Sequence, residues 1–160
     1  MYFLRIAGAA VLVFSGFLCS HIMNSALSKK FEQIEALIML MRFIKIQIEC
    51  FGLPASEIIE RCDKNMLFLC GMRDGENIPN NFEQFFKYCD VRDKETKDIL
   101  LAFASGFGKG YRAEQIKECD YYLELLCDRR ERIYDELPKQ KKINSTLCVS
   151  SVLAVVILLF

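Results

Sequence analysis

Two kinds of apolar pattern alternate along this chain. In the middle, apolar positions recur at helical spacing: Phe31, Ile34, Leu37, Ile38, Met41, Ile44, Ile48 and Phe51, with Leu40, Phe43 and Ile46 forming a second apolar face. Such spacing predicts a helix apolar on most of its circumference, hence a central one. Ser28 is its predicted N-cap, and Gly52 and Pro54 its stop. Pro54 opens a short helix with Ile58, Ile59 and Cys62, and another follows around Met66 to Met72. A polar turn from Asp74 to Asn81, punctuated by Pro79, leads to the stripe Phe82, Phe85, Phe86, Cys89, capped by Asn80 or Asn81. Asp93 caps the next helix, whose buried face is Ile99, Leu100 and Phe103. Glycines 106, 108 and 110 break the pattern. The last helix starts near Arg112 and carries Ile116, Cys119, Leu123, Leu126, Ile133 and Leu137, with Pro138 expected to end or kink it. No segment alternates with period two, so strands are not expected.

At the two ends the apolar residues run nearly unbroken. Ile6–Met23 and Ile143–Phe160 are each 18 residues without a formal charge. At ~1.5 Å per residue, 18 helical residues reach roughly 27 Å, close to a thin hydrocarbon core. A cleaved signal peptide is the rival reading of the first segment, but Phe17 and Leu18 stand where small residues belong. A terminal core helix is the rival for the second. The expected organisation is therefore an anchor at 6–23, a helical domain at 24–142 and an anchor at 143–160. The expected fold is all-α, a bundle of about six helices between two transmembrane helices.

Charge sharpens this picture. Lys plus Arg and Asp plus Glu are 21 each, and every charged residue except Arg5 lies between Lys29 and Lys142. Zero net charge argues against a nucleic-acid partner. Lys29 and Lys30 follow the first apolar segment, and Lys139, Lys141 and Lys142 precede the second, opposed only by Arg5. The positive-inside rule then places the middle domain in the cytoplasm of a two-pass membrane protein.

Candidate chemistry is sparse. His21 is the only histidine, so neither a Ser-His-Asp nor a Cys-His pair can form in the middle domain. The eight cysteines contain no Cys-x-x-Cys pair and sit mostly at apolar helical positions, which reads as reduced core thiols. Gly106-Phe107-Gly108-Lys109-Gly110 superficially resembles a phosphate loop. That loop requires Gly where Phe103 stands and Ser or Thr where Gly110 stands, so a turn between helices is the reading. The carboxylates are interleaved with Lys and Arg, as on solvated helix faces. No catalytic residue, metal site, cofactor or small-molecule substrate is expected, and the chain reads as no enzyme.

The order of parts resembles stage III sporulation protein AB of endospore-forming bacteria. Leu53-Pro54 before a short helix is similar to that family's Leu-Pro step. Gly106 and Gly108, then Gln115 on a long charged helix, resemble its Gly-containing turn and Gln-bearing helix. Two departures stand out, Pro138 within the last helix and Lys109-Gly110-Tyr111 in the turn. The resemblance implies a bundle similar to the cytoplasmic module of type II secretion platform (F) proteins. It further implies a place in the mother-cell membrane, in the channel joining mother cell and forespore. The implied partners are a secretion-type ATPase like stage III sporulation protein AA, other stage III sporulation membrane proteins and the lipid bilayer. A membrane-bound signalling adaptor or sensor is the alternative function.

Overall fold

A computed structural model describes the backbone of residues 2–73 and 79–159, and the side chains of these except 2–7, 9, 10, 12, 13, 156, 158 and 159. The described residues form six helices and no strand: α1 (Tyr2–Phe51), α2 (Ala55–Glu60), α3 (Lys64–Leu69), α4 (Phe82–Tyr88), α5 (Lys94–Gly106) and α6 (Arg112–Leu159). The all-α expectation agrees with this. Six helices contribute to the bundle, as expected, but no separate anchor helices flank them, because α1 and α6 each contain both an expected anchor and an expected bundle helix.

Local chemistry explains the difference. Nothing between Asn24 and Lys30 breaks a helix, and the Ser28 hydroxyl donates to the Asn24 carbonyl one turn back (3.3 Å) instead of capping a new helix. At the other end α6 runs through Pro138 to Leu159. One proline removes one backbone donor at a cost of roughly 3 kcal/mol, less than a 48-residue helix can absorb through its remaining hydrogen bonds and packing. Among the described residues, no helix is long and apolar enough to cross a membrane. The expected spans include the side chains of 6, 7, 9, 10, 12, 13, 156 and 158, 159 and residue 160, which lie outside the described residues.

Two compact units arise from these helices, one made of residues 1–29 and 133–160, the other of residues 30–132. In the first, α1 and α6 run antiparallel: Ser20 meets Ser145 (3.1 Å between hydroxyls), Asn24 donates to Ser145 (3.4 Å), and Gly16 faces Val152 so closely that a Cβ there would collide with it. These contacts border a cavity of about 480 Å³ that is lined mainly by apolar side chains and includes His21.

In the second unit α1 is the central element. Ile34, Leu37, Leu40, Met41, Ile44 and Ile48 are all at most 2% exposed, each contributing about 1.5–3 kcal/mol by leaving water. Ile46 and Met39 are half exposed, so the second apolar face expected from Leu40, Phe43 and Ile46 is buried only in part. Around α1 pack Ile58 and Ile59 of α2, Leu67 of α3, and an aromatic cluster from α4 and α5. Phe82 lies 5.9 Å from Phe103 and meets Phe107 edge-on at 4.7 Å, the geometry that ring quadrupoles favour. Asn81 caps α4 by accepting from Gln84 N–H, and Asp93 caps α5 by accepting from Thr96 N–H (2.8 and 3.0 Å). Gly52 ends α1 in the left-handed region (φ 63°), its N–H reaching the Ile48 carbonyl.

Candidate functional site

The C-terminal end of α1, the start of α2, the cap of α4 and the α5–α6 turn converge on one cleft of about 610 Å³. Four of the five positions that carried the family resemblance line it: Leu53, Pro54, Gly108 and Gln115. Each is placed there by local backbone chemistry. Pro54, with φ −71° and ψ 161°, stands at the cap position of α2 and turns the chain away from α1. Gly108 adopts φ 82°, which lets the chain reverse between α5 and α6 without the Cβ clash an L side chain would suffer. Gln115 donates from its side-chain amide to the Gly110 carbonyl (3.0 Å), and Glu114 accepts from the Tyr111 N–H (3.0 Å). The first turn of α6 thus ties down the loop that precedes it. Gly106 is the last residue of α5; its carbonyl accepts from Lys109 N–H.

The cleft walls are mixed. Ile48, Leu53, Phe82, Ala104 and Phe107 supply apolar surface, while Glu83, Lys109 and Arg112 stand at its margin. Arg112 donates to the Glu49 backbone carbonyl, stitching the first turn of α6 to the last of α1. Tyr111 projects from the turn, 84% exposed. The turn follows helix α5, and no strand precedes it, so it has none of the architecture of a phosphate loop.

A second constellation lies elsewhere in the same unit and was only half legible in the sequence. Asp93 is buried (7% exposed), and besides capping α5 it accepts from Arg129 of α6 and Lys30 of α1. The Arg129 guanidinium also reaches Glu95 (2.9 Å), to which Arg132 adds a further ion pair (2.8 Å). Arg129 beside it holds the Asp93 carboxyl well below the usual carboxylate range, against the opposing effect of burial, with Lys30 and Thr96 adding to the shift. Next to this cluster the Gln33 amide donates to the Cys70 and Asp90 carbonyls (3.2 and 2.8 Å), and its oxygen accepts from Arg92 N–H (2.9 Å). One buried side chain thereby satisfies three backbone groups of the loops around α3 and α5.

The lysines expected to flank a membrane divide into two sets. Lys30 is half-buried and committed to Asp93. Lys29, Lys139 and Lys142 are exposed and Lys141 half-buried, whereas the Arg5 side chain lies outside the described residues. Cys62, Cys70, Cys89 and Cys119 are buried free thiols. Burial pushes Cys62 up to about 12, and burial together with Asp120 and Glu118 pushes Cys119 up to about 12, which makes both poor nucleophiles. Among the described residues no three His, Cys, Asp or Glu side chains gather as a metal site.

The family model of stage III sporulation protein AB matches residues 72–160, a stretch that holds the α5–α6 turn, Gln115 and all of α6. No curated protein and no solved structure matches the chain.

Proposed function

The chain belongs to the stage III sporulation protein AB family, whose role lies in sporulation, and we propose that this protein serves there as a non-enzymatic platform subunit. On this reading it sits in the mother-cell membrane, anchored by residues 6–23 and 143–160. Its helical bundle faces the cytoplasm and passes contact from a secretion-type ATPase, like stage III sporulation protein AA, to the channel toward the forespore. The likeness to the cytoplasmic module of type II secretion platform proteins belongs to the same proposal.

The observation that carries the reading is the convergence of Leu53 and Pro54 with Gly108 and Gln115 on one cleft, because the two pairs are far apart in sequence and share no catalytic chemistry. What they share is surface. From that cleft α1 runs back to Lys30, about 33 Å away at ~1.5 Å per residue, as one uninterrupted helix. There Asp93 binds α1 to α6. A load applied at the cleft is thus received by two helices that are fastened together at their other bundle end. The apolar ends of the sequence and the lysines beside them support the membrane part of the proposal.

Binding of the full chain in detergent micelles to the purified secretion-type ATPase encoded in the same genome tests this. Saturable binding that Leu53→Asp weakens at least tenfold, with helicity unchanged by circular dichroism, is expected. Absence of binding, or binding indifferent to Leu53→Asp, overturns the ATPase-linking role.

A further inference from the structure

The charges around the cleft are unevenly matched. Glu83, a carboxylate of the lining, is already paired to Lys87 (2.7 Å). Glu114, exposed in the first turn of α6, is engaged by the Tyr111 N–H, from which it accepts. Of the cations at the same margin, Lys109 adds its charge to that of Lys87 in holding the Glu83 carboxyl down but makes no ion-pair contact with it, and among the described residues Arg112 makes no ion pair either. Among the described residues, neither Lys109 nor Arg112 has a carboxylate oxygen within the 4.0 Å that defines an ion pair, and Arg112 donates only to the neutral backbone carbonyl of Glu49. Both side chains are exposed, so holding them available costs no burial of charge. The same cleft is lined by the apolar side chains of Leu53, Pro54 and Phe82.

Resting on the reading that this cleft meets a partner protein, we propose that its occupant is an acidic amphipathic helix or strand of that partner. An apolar side chain of that segment enters against Leu53, Pro54 and Phe82, and a neighbouring carboxylate is received by Lys109 and Arg112. Charge complementarity of this kind selects one partner chemistry and speeds its approach, while the apolar contact supplies the slow release. Tyr111, projecting beside the opening, adds a rigid amphipathic ring of the type enriched at the centre of protein contacts. A basic segment is repelled by the two unpaired cations, and a second copy of this chain would have to bring carboxylates to the same place.

The test uses the full chain in detergent micelles and fluorescein-labelled 12-residue peptides built from Leu and Glu with helical periodicity, alongside versions with every Glu replaced by Gln or by Lys. Fluorescence anisotropy is expected to show the Glu peptide binding at least tenfold more tightly than the Gln peptide and the Lys peptide not at all. Lys109→Glu and the pair Lys109→Glu with Arg112→Glu are expected to abolish the preference, and Lys109→Arg to keep it. Equal binding of Glu and Gln peptides, preference for Lys, or indifference to Lys109→Glu overturns the proposal. So does a self-association of the wild-type chain that Lys109→Glu dissolves, which assigns the cleft to a second copy. ATPase binding, measured separately, reports on the platform role: its absence with the peptide preference intact removes that partner, whereas its presence without the preference removes only the acidic-segment inference.

Discussion

Asp93 and Arg129 meet as a two-pronged fork, Nε donating to one carboxylate oxygen and Nη2 to the other, both at 2.8 Å. Lys30 Nζ lies 2.8 Å from the same Oδ1, and Thr96 contributes its hydroxyl at 2.7 Å. One carboxylate therefore caps α5, holds Lys30 of α1 and holds Arg129 of α6, so its three tasks stand or fall together. Buried ion pairs of this kind add little over an apolar substitute, but breaking one by removing a single partner is costly, because the remaining charge is left without compensation.

Asp93→Ala is accordingly expected to destabilise the protein by about 3–5 kcal/mol in urea unfolding, with the lost cap included. Arg129→Met combined with Asp93→Leu is expected to cost less than Asp93→Ala alone, since no buried charge is left stranded in the pair. A single-mutant loss below about 1 kcal/mol contradicts the clamp.

The same carboxylate sets a pH dependence. Its folded-state pKa lies below the unfolded value of about 3.9, so its stabilisation is complete above that value and drains away as acid protonates the unfolded chain. Stability of the wild type is expected to fall as pH drops from about 5 to 3, and Asp93→Ala to show a flatter profile over that window. Parallel profiles contradict the assignment.

Gly106 and Gly108 are expected to respond differently to alanine. Gly108 has φ 82° with open space around it, so Gly108→Ala pays only backbone strain, about 1 kcal/mol. Gly106 is helical, and a Cβ there meets Glu118 side-chain oxygens at 3.5 Å, ordinary contact distance, so Gly106→Ala is expected to cost nothing measurable. Thermal melts of the two variants side by side decide this.

Thiol labelling checks the core. Cys50 is exposed and Cys62, Cys70, Cys89 and Cys119 are buried, with burial raising the Cys70 thiol as it does Cys62 and Cys119. Brief iodoacetamide treatment of the native protein at pH 8 is expected to alkylate Cys50 and spare these four, which react only after unfolding, as read by peptide mass spectrometry.

Much of the bundle was legible because its signals are local. The α1 stripe, the Gly52-Pro54 stop, the caps at Asn81 and Asp93 and the start of α6 near Arg112 each rest on residues within one or two turns. Where the reading failed, a local signal was outvoted. Ser28 has the chemistry of a cap, yet its hydroxyl found the Asn24 carbonyl. Pro138, expected to end or kink the last helix, does not end it, and α6 continues to Leu159. The clamp was hidden because its members come from three helices, although one hint existed: Lys30 falls on the same face as Ile34, Leu37, Met41, Ile44 and Ile48, and Arg129 on the face of Cys119, Tyr122 and Leu126. A cation on a buried stripe calls for a buried anion, and Asp93 is that anion. The cleft was legible as a set of residues but not as a place, since only the fold brings Leu53 to Gly108.

A count of heat-resistant spores tests the central claim most directly, using an endospore-forming host in which the gene is deleted and then restored as wild type or as Leu53→Asp with Lys109→Glu. The account predicts a fall of several orders of magnitude on deletion with normal vegetative growth and arrest after engulfment, full recovery with the wild type, and little recovery with the cleft variant. Unchanged spore counts on deletion contradict the sporulation role, and full recovery by the cleft variant contradicts the cleft as the working surface.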